Sequence, residues 1–451
     1  MANIQTDLLI IGGSDAGISA ALRARELNKD IQITIVLADE FPNLSICGIP
    51  YAVSKEVSAW QNLAHRTVKD LEAYQIDFYM NTWATAINPT AHTVTATRGE
   101  EAVTFAYQHL MVGTGAVPKE LPLTGVGDGI HVLHTMGDFF DIEAQLVQHQ
   151  PKRAAIIGAG YVGIEMAEAL THRDVAVSLF QRGSEVLSTI DADLATPIND
   201  ALTQNGVQVF TNATVTEIAQ TPTGYRLIGG ATDETFDFVL VVVGVRPNST
   251  LLEEAGAEVT TNHAVIVNDR MQTNLPDIYA AGDLVQTKHR LLGDTYLPLG
   301  TTAHKQGRVA GANIVGRQTH FAGIIGSQVL RAFDVIAART GLLPTEATQA
   351  GYTPITTTAV VDDHKGYYPG AEKITIRITA DRQTHRLLGA QLVGKYGSEV
   401  AKRADIFATA IYNDMTVEAF SDLDLTYSPV VGAPWDAVQA AVQQLEAQLD
   451  A

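Results

Sequence analysis

Thiols are nearly absent: one cysteine, Cys47, stands among 451 residues. A single thiol cannot close an internal disulfide, form a CxxC redox pair or build a thiolate metal cluster, so no metal centre is expected. The low count fits a reducing, cytoplasmic compartment. Basic residues are scarce too, 30 against 50 acidic, for a net charge of -20. Such a surface repels phosphate backbones and anionic lipid heads, which argues against nucleic acid or membrane partners. Long apolar runs are missing: the longest, at residues 239–243, falls far short of the roughly 20 residues that span a bilayer. No basic segment precedes the first apolar strand at residues 8–11, so no targeting segment is expected. There is also no low-complexity tract and no long polar linker.

What is present is an ordinary globular balance, 46% hydrophobic and 18% charged, long enough for roughly three domains. One unit recurs: strand, glycine turn, helix, strand. Its first copy has an apolar strand at residues 8–11, then Gly12, Gly13, Ser14, Asp15, Ala16 and Gly17, a helix over 18–27 and a strand over 31–37. Its second copy has a strand at 154–157, then Gly158, Ala159, Gly160, Tyr161, Val162 and Gly163, a helix over 164–170 and a strand over 175–180. Each reads as β-α-β on a parallel sheet. Two small-residue crossings, one with Thr114 and Gly115 and one with Gly244 and Pro247, bracket the second copy. The fold class expected is therefore α/β: two Rossmann-like dinucleotide-binding domains, one inserted in the other, plus a C-terminal α+β domain. The divisions are 1–117, 118–246, 247–322 and 323–451. In the last of these, strands are expected over 373–379 and 387–393 and a helix over 401–413.

The second turn is complete. Gly158 permits the tight turn, Gly160 lets the backbone approach a pyrophosphate, and Gly163 allows close helix–strand packing, while the helix start offers free N–H groups to the anion. NAD sites usually carry a carboxylate at the end of the following strand. Gln181 and Arg182 stand there instead, and Arg182 can pair with a 2′-phosphate. This favours NADPH, with NADH and a merely solvated Arg182 left open. The first turn is degenerate, with Ser14 in the middle glycine's place. Leu37 ends the next strand, so Asp39 or Glu40 must serve the ribose.

Two further stretches carry chemistry. The run over 273–283 reads as an apolar strand ending in Gly282 and Asp283, whose carboxylate can accept a hydrogen bond from a polyol hydroxyl or act as a simple cap. Thr301 and Thr302 then open a helix whose N-terminal dipole can stabilise negative charge. Cys47 lies in the segment Ser45, Ile46, Cys47, Gly48, Ile49, Pro50, Tyr51, soon after the first unit. A lone cysteine is more often inert and buried. A helix beginning near Gly48 would favour its thiolate.

Together the two glycine turns, SICGIPY, TNLPDIYAAGD and TTAHKQGRVAG resemble the single-cysteine branch of the FAD-dependent pyridine nucleotide-disulfide oxidoreductases, of the coenzyme A-disulfide reductase and NADH oxidase type. The resemblance covers essentially the whole chain. It implies FAD on the first unit, with Gly12, Gly17, Gly115 and Asp283 lining its site, and NADPH or NADH on the second. It implies Cys47 as the redox-active thiol. The stretches around Tyr367 and Tyr368 and around Tyr427 look most like the coenzyme A-disulfide reductase type. They imply a homodimer in which Tyr427, with Tyr367 or Tyr368, reaches the other subunit's cysteine. The function implied is reduction of a small disulfide or persulfide such as coenzyme A disulfide. The alternatives are oxygen reduction through a cysteine sulfenic acid, or a flavin-bearing sensor acting on a protein partner. Departures are Asp15, where peroxidase and oxidase relatives often carry histidine, and His304, where relatives commonly carry asparagine. No rhodanese-like domain follows before Ala451, which weighs against the fused persulfide reductases.

Overall fold

A computed structural model describes residues 2–120, 129–229 and 234–449. The first sheet has seven strands. Its path runs Ile76–Tyr79, Ile33–Val36, Ala2–Ile11, Glu101–Val112, Thr93–Arg98 and Trp83–Asn88, with Ile278–Ala280 also paired to Glu101–Val112. The strands on either side of Ala2–Ile11 run parallel to it. Leu8, Leu9 and Ile10 are fully buried. A continuous apolar run is what a central parallel strand, covered on both faces, requires.

The second sheet is all parallel, in the order Gln208–Phe210, Ala176–Phe180, Arg153–Ile157, Phe238–Val241 and Ile130–His131. It is inserted between Glu101–Val112 and Ile278–Ala280 of the first. The two chain crossings meet: Ala116–Pro118 and Val245–Pro247 pair antiparallel, with Ala116 opposite Pro247. A third sheet of five antiparallel strands runs Gln328–Ala332, Val335–Gly341, Leu387–Lys395, Lys373–Asp381 and Pro354–Asp362. The helices Val400–Tyr412 and Ala437–Leu449 pack on it around Phe407, Phe420 and Leu445. Both dinucleotide units and the C-terminal α+β domain are therefore present.

One sequence expectation fails locally. Of the run over 273–283, only Ile278–Ala280 is strand. Pro276 has no N–H to give a ladder, and Asp277 takes a left-handed φ of 58°, so the stretch before Ile278 folds as turns closed by Thr273. Its hydroxyl donates to the Ile278 carbonyl at 2.9 Å.

Candidate active site

Both glycine turns are closed by contacts only glycine permits. Gly12 has φ 106°, and an added Cβ would lie 2.3 Å from the Gly113 carbonyl oxygen. A Cβ on Gly17 would lie 2.0 Å from the Gly12 oxygen. The second turn repeats this, with Gly158 at φ 109° and a Cβ on Gly163 only 1.9 Å from the Gly158 oxygen. The helices so opened, Asp15–Leu27 and Tyr161–Thr171, begin at Ser14 and Gly160, and neither residue makes a side-chain cap. A Cβ on Gly160 would meet nothing within 4 Å. The start of the second of these helices therefore faces open space, which suits a pyrophosphate.

Around the first turn, Gly13 and Ala16 are buried and Ser14 is exposed. Asp39 and Glu40 are exposed beyond the strand Ile33–Val36, and the Asp39 carboxylate accepts the Phe41 amide at 3.0 Å. Thr114 donates to the Asn248 carbonyl at 2.7 Å and ties the crossings together. Gly115 and Gly244 both take positive φ there. The Gly282 amide donates to the Gln306 side chain at 2.9 Å, which delivers Asp283 beside the turn. Burial, and then Asp15, push the Asp283 carboxyl up to about 6. The Tyr296 hydroxyl donates to the Asp283 carbonyl at 2.7 Å. Thr301 is exposed and Thr302 buried in the first turn of the Gly300–Ile314 helix. This ring of glycines, amides and one carboxyl has the chemistry a dinucleotide's pyrophosphate and polyol require.

Around the second turn, the Ala159 amide donates to the Gln181 side chain at 3.3 Å, so Gln181 folds back under the turn. Arg182 is exposed and makes no ion pair among the described residues. Val162 is exposed. The Tyr161 hydroxyl donates to Gln328 of the C-terminal domain at 2.7 Å and accepts from Thr189 at 3.1 Å. An NAD(P) nucleotide fits here as well.

Cys47 occupies the short 3-10 turn Ile46–Gly48 and is exposed. The helix that follows, Ile49–Val53, has only five residues. The expected thiolate-favouring environment is not what surrounds the sulfur. Protein atoms packed around the turn penalise the charged form and push the thiol up despite its solvent-facing side, and Glu165, Asp15 and Asp283 push it further. Burial is the first cause, and the three carboxyls add to it.

Glu165, which sequence reasoning missed, is the strongest of these carboxyls. Burial pushes it up to about 7, and it accepts the Tyr51 hydroxyl at 3.3 Å. Burial, then Glu165, raises the Tyr51 phenol. Arg331, from the C-terminal domain, lies over the Tyr51 ring at 5.1 Å. Its guanidinium donates to Glu56 at 2.5 Å and to Glu168 at 2.8 Å. The signal available in sequence was two glutamates set in the apolar helix that the complete glycine turn opens.

The structure does not bring the three tyrosines to the Cys47 of the same chain as hydrogen-bond partners. Tyr367, Tyr368 and Tyr427 lie on the C-terminal domain and are all exposed, Tyr367 at 74%. Burial, then the Tyr367 hydroxyl, raises the Tyr427 phenol, so those two meet each other.

Known proteins match this architecture. The pyridine nucleotide-disulphide oxidoreductase model matches residues 6–307, and that family's dimerisation domain matches residues 329–437. The chain is 29% identical to the NAD(P)H sulfur oxidoreductase (CoA-dependent) of Pyrococcus abyssi, covering 99% of each. It is 28% identical to the coenzyme A disulfide reductase of Staphylococcus haemolyticus, covering 96% of this chain and 97% of the other. The solved NAD-dependent persulfide reductase from A. fulgidus superposes with a TM-score of 0.94 at 33% identity, covering 98% of this chain and 83% of that one. No described helix is long and apolar enough to cross a membrane. The chain thus belongs to the pyridine nucleotide-disulphide oxidoreductases, FAD enzymes that draw hydride from NAD(P)H.

Proposed function

We propose that this chain reduces a small disulfide or persulfide, of the coenzyme A disulfide class, at the expense of NAD(P)H through Cys47. The observation that carries the reading is an exposed lone thiol in electrostatic reach of Asp15 and Asp283, two groups of the first dinucleotide site. In the overall reaction NAD(P)H, one proton and the disulfide become NAD(P)+ and two thiols. Cys47 deprotonates and attacks one substrate sulfur; the substrate S–S bond breaks and the first thiol leaves. FAD held by the first turn would supply, from NAD(P)H, the electron pair that returns the Cys47–substrate disulfide to two thiols. With no second cysteine in the chain, the resolving chemistry cannot be an internal thiol exchange. Glycines 12, 17 and 115 with Asp283 hold the FAD, and Asp39 or Glu40 takes its ribose. Gly158, Gly160 and Gly163 hold the second nucleotide.

Arg182 is assigned to the 2′-phosphate of NADPH, because it makes no ion pair among the described residues and no carboxylate ends the neighbouring strand. The working unit is a homodimer in which Tyr427 and Tyr367 or Tyr368 approach the partner's Cys47 across the dimerisation domain. A chain whose one working thiol must stay reduced belongs in the cytoplasm.

Anaerobic titration tests the reading. NADPH-reduced wild type should be reoxidised by coenzyme A disulfide, and Cys47→Ser should not. Rapid oxygen consumption without added disulfide would instead assign the oxidase chemistry, with Cys47 cycling through sulfenic acid.

A further inference from the structure

We infer that Asp15, His65 and His304 form a three-ligand site for a divalent transition metal of the zinc class, beside the Cys47 loop. The three residues come from distant segments, yet one ligand atom from each lies within 4.8 Å of the others. The His304 Nε2 is 3.3 Å from an Asp15 carboxylate oxygen. That is the edge of a tetrahedron with ligand bonds of roughly 2.0–2.1 Å, the zinc geometry. The two imidazoles stand at 74° to each other with centroids 6.2 Å apart, so they converge without stacking.

The frame around them is rigid. The Asp15–Leu27 and Gly300–Ile314 helices approach closely because Gly307 and Gly311 leave no side chain between them. A Cβ on Gly307 would lie 2.3 Å from the Ala16 carbonyl oxygen, and one on Gly311 would lie 2.2 Å from that of Ala20. This contact sets Asp15 and His304 face to face. On the third side the His65 backbone is held by its amide, which donates to the Asn43 carbonyl at 3.0 Å.

The tautomer also fits. The His304 Nδ1 sits 2.8 Å from the Ser19 hydroxyl. When Nδ1–H donates there, the Nε2 lone pair faces the Asp15 carboxylate and can be shared with a cation, which takes the place of the proton that Nε2 carries toward Asp15 in the other tautomer. A ligand histidine anchored through its other nitrogen is the usual arrangement in metal sites. Asp15 and His304 are half-buried and His65 is exposed, so an ion can enter and keep one position for water or a substrate sulfur. The second acidic grouping, Glu56 with Glu168 and His172, differs in that the Arg331 guanidinium already fills it.

The test uses chelator-treated holoenzyme titrated with zinc sulfate against a chromophoric chelator, with FAD absorbance confirming the fold of every variant. Wild type and Cys47→Ser should each bind one zinc per subunit. His304→Asn and His65→Asn should lose at least about tenfold in affinity, and Ser19→Ala about tenfold through its loss of hold on the ring. Absence of saturable zinc binding by wild type overturns the site. So does binding that survives both histidine substitutions, or binding that only Cys47→Ser removes.

Discussion

The two glycine turns are the same device under different demands. In both, the outer glycines are locked by carbonyl oxygens that leave 1.9–2.4 Å for a missing Cβ, and the first glycine takes a φ near the other's, 106° against 109°. The middle position differs: Ser14 in one, Gly160 in the other. So does the end of the next strand, where one turn is followed by Leu37, Asp39 and Glu40 and the other by Gln181 and Arg182. Closing a helix onto its strand is a backbone constraint with a single solution. Meeting the ligand is a surface constraint with several.

That contrast can be broken or sharpened by four tests, from the largest effect to the smallest. Gly17→Ala and Gly163→Ala should each cost about 3 kcal/mol, equal within error in thermal unfolding; a mild effect at either would show that the locks are not equivalent. Arg182→Ala should raise the KM for NADPH about tenfold, the loss of one charge-assisted contact, and leave that for NADH unchanged. An equal effect on both nucleotides would return Arg182 to the solvated surface.

The third is Glu165→Gln, in the helix opened by the second turn. Burial holds this carboxyl up at about 7 against an ordinary 4.5. The folded protein therefore binds a proton the unfolded chain releases between those values, and stability contributed by neutral Glu165 is lost as pH rises from about 4.5 through 7. Wild type should lose more melting temperature than Glu165→Gln from pH 5 to 8. The same variant should alkylate faster at Cys47 at pH 8, because a charge that holds the thiol up is gone. Parallel pH profiles in the two proteins would remove Glu165 from both roles. The smallest effect belongs to Gly160→Ser, which copies Ser14 into the second turn. Its Cβ meets nothing within 4 Å, so stability should move by under about 1 kcal/mol, and any change should appear in nucleotide KM.

Legibility in the sequence followed the range of the interactions. The strands, the turns and the crossing at Gly244 are written in neighbouring residues, and the structure reproduces them. The C-terminal strands were readable by the same rule and run slightly longer than expected, to Asp381 and Lys395. The stretch before Ile278 misled because its apolar residues hid a proline turn. The sign of the Cys47 environment was unreadable, since Asp15, Glu165 and Asp283 arrive from three separate segments. For the same reason the meeting of Asp15 with His304, almost 300 residues away, is visible only after Gly307 and Gly311 have drawn two helices together.

The pairing of Ala116–Pro118 with Val245–Pro247 has a mechanical side. An inserted domain tethered by two independent tails could tumble and twist. One whose entry and exit are hydrogen-bonded to each other leaves through a single two-stranded neck, and the Tyr161–Gln328 and Arg331–Glu168 contacts brace it against the C-terminal domain.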